Sequence, residues 1–129
     1  MAWYLDTSAL VKLVVAETET RALEKWLRPR AAVVSSDLAR TELLRAVRRA
    51  HPTSMVRARE VLDAMALLTL STRICERAAL LDPAVLRSLD AIHIAAALQL
   101  GDELEGVVTY DDRLARGCAV HGIVVVAPA

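Results

Sequence analysis

Short, unbroken apolar runs, each separated from the next by a helix-length stretch, constrain this chain more than any other feature. The runs are Ala2–Leu5, Ala32–Val34, Leu67–Leu70, Val107–Thr109 and Ile123–Val126. A strand with one wet face alternates polar and apolar residues, whereas a strand covered on both faces does not. None of these runs alternates strictly. Strands that each hand over to a helix form a parallel sheet with helices on both sides, so the expected class is α/β.

The helices carry their own punctuation. Ser8 is the expected cap of a helix through Val15, and Thr18 the cap of one through Leu27, which Pro29 ends. Ser35, Ser36 or Asp37 starts a helix through Arg49, His51-Pro52 breaks it, and Thr53 or Ser54 starts a second through Ala66. These two should form an antiparallel hairpin. Ser71 caps a helix through Leu81, and Asp82-Pro83 marks a loop. Ser88 caps Leu89–Leu100, which Gly101 stops, and Asp111 or Asp112 opens a short helix ending at Gly117. No repeat or linker divides the sequence, and 129 residues suit a single domain, 1–129.

Charge excludes some functions. Sixteen cations balance sixteen anions, so the chain lacks the overall basic field of a tight non-specific nucleic-acid binder, though a local patch is allowed. The two cysteines, Cys75 and Cys118, share no metal-like spacing and are expected as free thiols in a reducing cytoplasm. No run approaches the roughly 18 apolar residues of a membrane span, so a soluble, cytoplasmic protein with no membrane partner is expected.

Four acids sit where this topology should gather them. Asp6 ends the first run and Asp111 follows the fourth. If those strands are neighbours, both acids edge the crevice at the strands' carboxyl ends, where α/β proteins bind ligands. Asp90 lies in the first turn of a helix that is apolar almost all round, Leu89-Asp90-Ala91-Ile92-His93-Ile94-Ala95-Ala96-Ala97. A charge there is costly unless paired or metal-bound, and the helix dipole offsets only about 0.3–1 kcal/mol. Glu42 lies at the margin of its helix's apolar stripe, beside Leu38, Ala39 and Ala46. Taken singly, Asp6 reads equally as a helix cap, Glu42 as a solvated acid, and Asp111 and Asp112 as helix-start acids. Two carboxylates about 4 Å apart repel by about 4 kcal/mol at an effective dielectric of 20. Together, therefore, the acids call for a cation, and hard oxygen donors suit Mg²⁺, with Mn²⁺ an alternative.

Four segments in order carry a resemblance: Leu5-Asp6-Thr7-Ser8-Ala9-Leu10, Thr41-Glu42-Leu43, Leu89 to Ala97, and Val108-Thr109-Tyr110-Asp111-Asp112-Arg113-Leu114. Together they resemble the motifs of the PIN-domain nucleases, and size and order resemble the VapC toxins of type II toxin–antitoxin systems. The resemblance covers essentially the whole chain. It implies a PIN-like three-layer α/β/α sandwich with a five-stranded parallel sheet of order 3-2-1-4-5. It also implies a Mg²⁺-dependent endoribonuclease that hydrolyses RNA phosphodiester bonds through a metal-activated water. Asp6, Glu42, Asp90 and Asp111 match the family's acidic quartet. Asp6 and Asp90 would touch the ion most directly, Asp111 would complete its shell or orient its water, and Glu42 would act through a water or a second ion. Ser8 and Thr109 could aim carboxylates, and whether Asp112 joins Asp111 stays open. The implied partners are an RNA substrate, a cognate antitoxin and a second copy in a homodimer, with DNA reached only through the antitoxin.

Other residues divide between plain and functional readings. Arg45 and Arg49, on the helix of Glu42, and Arg113, after Asp111, are candidate phosphate contacts against the plainer reading of solvated arginines. His93, one turn after Asp90, is expected to make a structural hydrogen bond. Trp3, Tyr4, Trp26 and Tyr110 are too few for a base-stacking platform. Abundant Leu and Ala on the hairpin helices predict an exposed apolar groove there for a partner segment. Two alternatives remain at this point. A phosphoreceiver domain would need an acid after the third run and a lysine after the last. Here Ser71-Thr72 follows Leu70, and both lysines, Lys12 and Lys25, come early. A catalytically inactive PIN-fold module that binds RNA or protein is the other.

Overall fold

β1 (Ala2–Leu5) is the middle strand of a parallel five-stranded sheet of order β3-β2-β1-β4-β5 in the computed structural model, which describes residues 1–129. The other strands are β2 (Val33–Ser36), β3 (Ala66–Leu68), β4 (Leu104–Val108) and β5 (Val125–Val126). β1 pairs with β2 through Trp3–Val33 and with β4 through Leu5–Val108, so Asp6 follows directly beside the end of β4. The helices are α1 (Thr7–Val14), α2 (Thr20–Leu27), α3 (Asp37–Ala50), α4 (Met55–Asp63), α5 (Thr72–Ala79), α6 (Ser88–Leu98) and α7 (Asp112–Val120). The expected sheet order and three layers are present.

Successive strand residues point to opposite faces, which explains why the apolar runs are unbroken. Leu5 and Val108 join Leu10, Leu23, Leu43, Val47 and Leu62 under α1–α4. Tyr4 and Val107 join Ile74, Ile94, Leu114 and Cys118 under α5–α7. α6 buries Ala91 and the run Ile94–Ala97, as its apolar circumference requires.

Several boundaries differ from expectation, each for a local reason. α1 is capped by Asp6, not Ser8, because the Asp6 carboxylate accepts from the Ala9 amide. α2 starts at Thr20 rather than behind a Thr18 cap. The Thr20 hydroxyl accepts from the Glu17 amide and donates to the Lys12 carbonyl, tying the preceding loop to α1. β2 runs on through Ser35 and Ser36, because both hydroxyls find buried partners. Ser35 donates to the Leu5 carbonyl at 2.6 Å, and Ser36 accepts from the Tyr4 hydroxyl at 2.8 Å. α4 stops at Asp63, so β3 begins at Ala66. α5 and α6 both stop two residues short of expectation, and Ser88 begins α6 rather than capping it, with Arg87 in the cap position.

β4 begins at Leu104, so the non-apolar pair Glu105-Gly106 is strand; pairing with the central β1 overrides local propensity. A Cβ at Gly106 would lie 2.5 Å from the Trp3 ring and 2.6 Å from the Val124 carbonyl, so only glycine lets the three strands close here. α7 continues past Gly117, whose missing side chain makes room for Ile94.

The apolar groove expected on the hairpin is absent. Ala39, Leu43, Val47, Ala58, Val61 and Leu62 of α3 and α4 are spent on the core, because this layer must also cover β1 and β2. The exposed large apolar side chains outside it include Leu80 and Val85 between α5 and α6, Leu89 in the first turn of α6, and Val120 on α7. A hollow of about 390 Å³ lies among Cys75, Ala78, Leu81, Leu86 and Ile92, and none of the four acids lines it. Both cysteines are free, Cys75 exposed and Cys118 buried. No helix is long and apolar enough to cross a membrane.

Candidate active site

Asp6 is both cap and lip. It leaves β1 in an extended conformation, so its carboxylate meets the first turn of α1 while remaining at the sheet's carboxyl edge. Oδ1 accepts from the Ser8 hydroxyl at 2.7 Å and from the Ala9 amide at 3.1 Å. Oδ2 accepts from the Thr109 hydroxyl at 2.6 Å. Ser8 Oγ accepts in turn from the Tyr110 amide, and Thr109 Oγ1 from the Asp111 amide. Two hydroxyls thus stitch the end of β1 to the segment after β4. Burial pushes the Asp6 carboxyl above its usual range despite these bonds and the nearby His93.

Asp111 caps α7, its Oδ1 accepting from the Arg113 amide at 2.9 Å and the Leu114 amide at 3.3 Å. Asp90 faces it from the first turn of α6. Burial raises the Asp90 carboxyl, the Asp111 charge raises it further, and Arg113, His93 and Arg87 pull it back. Asp90 Oδ2 is buried with no hydrogen bond, although Arg113 Nε stands 3.3 Å away. That nitrogen is within ion-pair range, but its N–H does not reach the oxygen in hydrogen-bond geometry. Glu42, in the second turn of α3, accepts on Oε1 from Thr7 at 2.6 Å and pairs on the same oxygen with His93 Nε2 at 2.7 Å. Burial opposes its ionisation, but the His93 and Thr7 bonds outweigh burial and hold the Glu42 carboxyl below its usual range.

Asp6, Asp90 and Asp111 therefore border one edge, with Glu42 reached through His93. No three His, Cys, Asp or Glu side chains form a ready-made cage. The donor set still fits a hard divalent cation. It offers carboxylate and hydroxyl oxygens, a buried Asp90 oxygen with no hydrogen bond, and an Asp90–Asp111 repulsion that a cation would relieve. Asp112 is exposed and faces no acid of this edge through a hydrogen bond or ion pair. Arg45 and Arg49 are exposed on α3 with Arg48, around a hollow of about 280 Å³, and none of the three is salt-bridged, whereas Arg40 pairs with Asp37 and Arg57 with Glu60. Arg113 stands at the lip against Asp90. Tyr110 packs, its hydroxyl on the Pro128 carbonyl and its ring under Lys12.

Reading the residues one by one missed Thr7, Tyr4 and Ser36. Thr7 was legible as a hydroxyl beside Asp6; Tyr4 and Ser36 read only as a strand residue and a cap until the sheet set them side by side.

The PIN domain matches residues 3–119. Ribonuclease VapC47 of Mycobacterium tuberculosis (strain CDC 1551 / Oshkosh) is 45% identical, over 97% of this chain and 96% of that protein. The crystal structure of M. tuberculosis VapC20, described as a sarcin-ricin loop cleaving toxin, superposes with a TM-score of 0.79 at 17% identity, covering 98% of this chain and 100% of that one. A toxin–antitoxin complex from Klebsiella pneumoniae gives 0.73 at 24% identity, covering 100% and 98%. These two likenesses carry the fold, while the family match and the identity to VapC47 carry the kinship. The chain belongs to the PIN-domain family, among the VapC ribonucleases.

Proposed function

We propose that this protein is the toxin of a toxin–antitoxin pair and a Mg²⁺-dependent endoribonuclease. The observation that carries the reading is the Asp90 carboxylate, buried beside Asp111 at the same edge as Asp6, with one oxygen that accepts no hydrogen bond. A protein that bound RNA without cutting it would have no use for so costly an arrangement.

Asp6, Asp90 and Asp111 would hold the ion, which when bound would lower the pKa of a water and offset charge on the phosphate. Ser8 and Thr109 hold the Asp6 carboxylate in one orientation. Glu42, ionised and bound on Oε1 alone, keeps Oε2 available to accept a proton from the attacking water. With RNA and Mg²⁺ the purified chain should cleave, and excess chelator should stop it, cleavage returning with Mg²⁺ or Mn²⁺. Cleavage that survives complete chelation would refute the metal assignment.

Glu42, Arg45 and Arg49 stand at spacing i, i+3, i+7, one stripe of α3 that runs about 10 Å from the acids. The arginines would take phosphates flanking the cut, as would Arg113 at the lip. Replacing Arg45 and Arg49 by Ala should weaken RNA binding and flatten the slope of log K against log salt by about 1.4, at about 0.7 per lost single-strand contact. An unchanged slope would place the RNA elsewhere. A cognate antitoxin, which would contact DNA itself, and a second copy in a homodimer are the protein partners, with the exposed Leu80, Val85, Leu89 and Val120 as apolar contacts.

A further inference from the structure

We infer that His93 is a positioning residue that fixes Glu42 so that one carboxylate oxygen is anchored and the other is left to work. The inference rests on the nuclease reading above and assigns a role which that reading leaves open.

Four side chains close a circuit across the sheet. Ser36, the cap residue of α3, accepts from the Tyr4 hydroxyl of β1 at 2.8 Å. The Tyr4 hydroxyl meets His93 Nδ1 of α6 at 2.8 Å. His93 Nε2 meets Glu42 Oε1 at 2.7 Å, and Glu42 stands in the second turn of the α3 helix that Ser36 begins. The circuit joins β1 to helices of both layers at the edge where the acids stand.

Proton positions follow from the partners. An ionised carboxylate only accepts, so Nε2 carries the proton directed at Glu42. Tyr4 has one proton to give: if it goes to Ser36, Nδ1 donates to the Tyr4 oxygen, and if it turns to Nδ1, the Ser36 hydroxyl donates to Tyr4 instead; the Nε2 bond is the same in both. Burial holds the Tyr4 phenol well above its ordinary pKa, so its hydroxyl keeps its proton for the circuit. The His93 ring is 5% exposed and set edge-on to Tyr4, with both nitrogens occupied. It has no edge left for RNA or for an ion.

The consequence falls on Glu42. His93 and Thr7 both bind Oε1, and neither binds Oε2. A glutamate on an exposed helix face samples several rotamers, whereas two short bonds to one oxygen select a single direction for the other. Partners of this kind are worth about 10–100-fold in activity at metal sites.

The test is a double-mutant cycle on RNA cleavage, with circular dichroism as the check on folding. His93→Leu should lower kcat about 10–100-fold with KM within twofold. His93→Gln, which offers an N–H near the position of Nε2, should recover most of the loss. Tyr4→Phe, which keeps the ring and removes the hydroxyl, should lower kcat in the same direction and serves if His93→Leu does not fold. In a Glu42→Gln background each of these changes should be nearly silent, because the group they position is gone. A parallel readout needs no activity: the His93 Nε2 proton should give a slowly exchanging NMR signal that shifts in Glu42→Gln. Losses that multiply in full in the Glu42→Gln background would mean that His93 only supports the fold, and would overturn the inference while the nuclease stands. A wild-type protein that does not cleave RNA with Mg²⁺ would instead remove the reading on which it rests.

Discussion

Asp6→Asn should leave the protein folded and lower RNA cleavage by at least about 10²–10³-fold, the usual cost of removing one preorganised electrostatic partner. The fold survives because Asn keeps the oxygen that accepts from Ser8 and the Ala9 amide. Its amide replaces only the oxygen facing Thr109, whose hydroxyl can turn to accept. Activity does not survive, because a neutral amide binds a hard cation far less well than a carboxylate. Cleavage of a labelled RNA and a thermal melt on the same preparation check both halves. Wild-type cleavage by a folded Asp6→Asn protein would show that the lip is not the active site.

Asp90→Asn should have opposite effects on stability with and without metal. Burial, with Asp111 adding to it, holds the Asp90 carboxyl above its ordinary value. A carboxyl whose pKa is raised by folding binds its proton more tightly in the native state. Stability from this group is therefore greatest below the unfolded pKa of about 3.9 and falls as pH rises to the folded value. At neutral pH the full cost is present, and asparagine does not carry it. In chelator at pH 7, Asp90→Asn should therefore be more stable than wild type by about 0.5–2 kcal/mol, the usual yield of removing an unfavourable charge. The gain should shrink as pH falls below the folded pKa of Asp90. Glu42, whose pKa is lowered, makes the opposite contribution, but it is common to both proteins and cancels in the difference. With Mg²⁺ at 100 times its Kd the wild type gains about 2.7 kcal/mol and the variant little, so the order reverses. Urea unfolding in chelator and in Mg²⁺ at several pH values measures all of this. A variant less stable than wild type in chelator would mean that the Arg113 pair outweighs burial and repulsion at Asp90.

Much of this was legible before any coordinates. Unbroken runs such as Trp3-Tyr4-Leu5 and Val107-Val108 required a sheet covered on both faces, and the tertiary structure places their neighbouring residues in separate cores. Asp90 stood out because an acid in an all-apolar helix needs a reason. Boundaries were less legible where tertiary pairing overrode local preference. Glu105-Gly106 reads as a loop yet is strand beside β1, and Ser35-Ser36 reads as a cap yet extends β2. The apolar hairpin suggested a groove because composition counts apolar residues without saying how much sheet they must cover.

The sequence by itself determined the class, the order of elements and the placing of Asp6 and Asp111 after strands that share an edge. These follow from periodicity and from the rule that parallel strands open at their carboxyl ends. Only the tertiary structure decided which oxygen of each acid is engaged and that Arg113 leans on Asp90. It alone joined His93 to Tyr4 and Glu42, residues 89 and 51 positions away along the chain. The reason is physical: a periodic pattern specifies which face of an element is buried, whereas a hydrogen bond depends on tenths of an ångström that only the packed core sets.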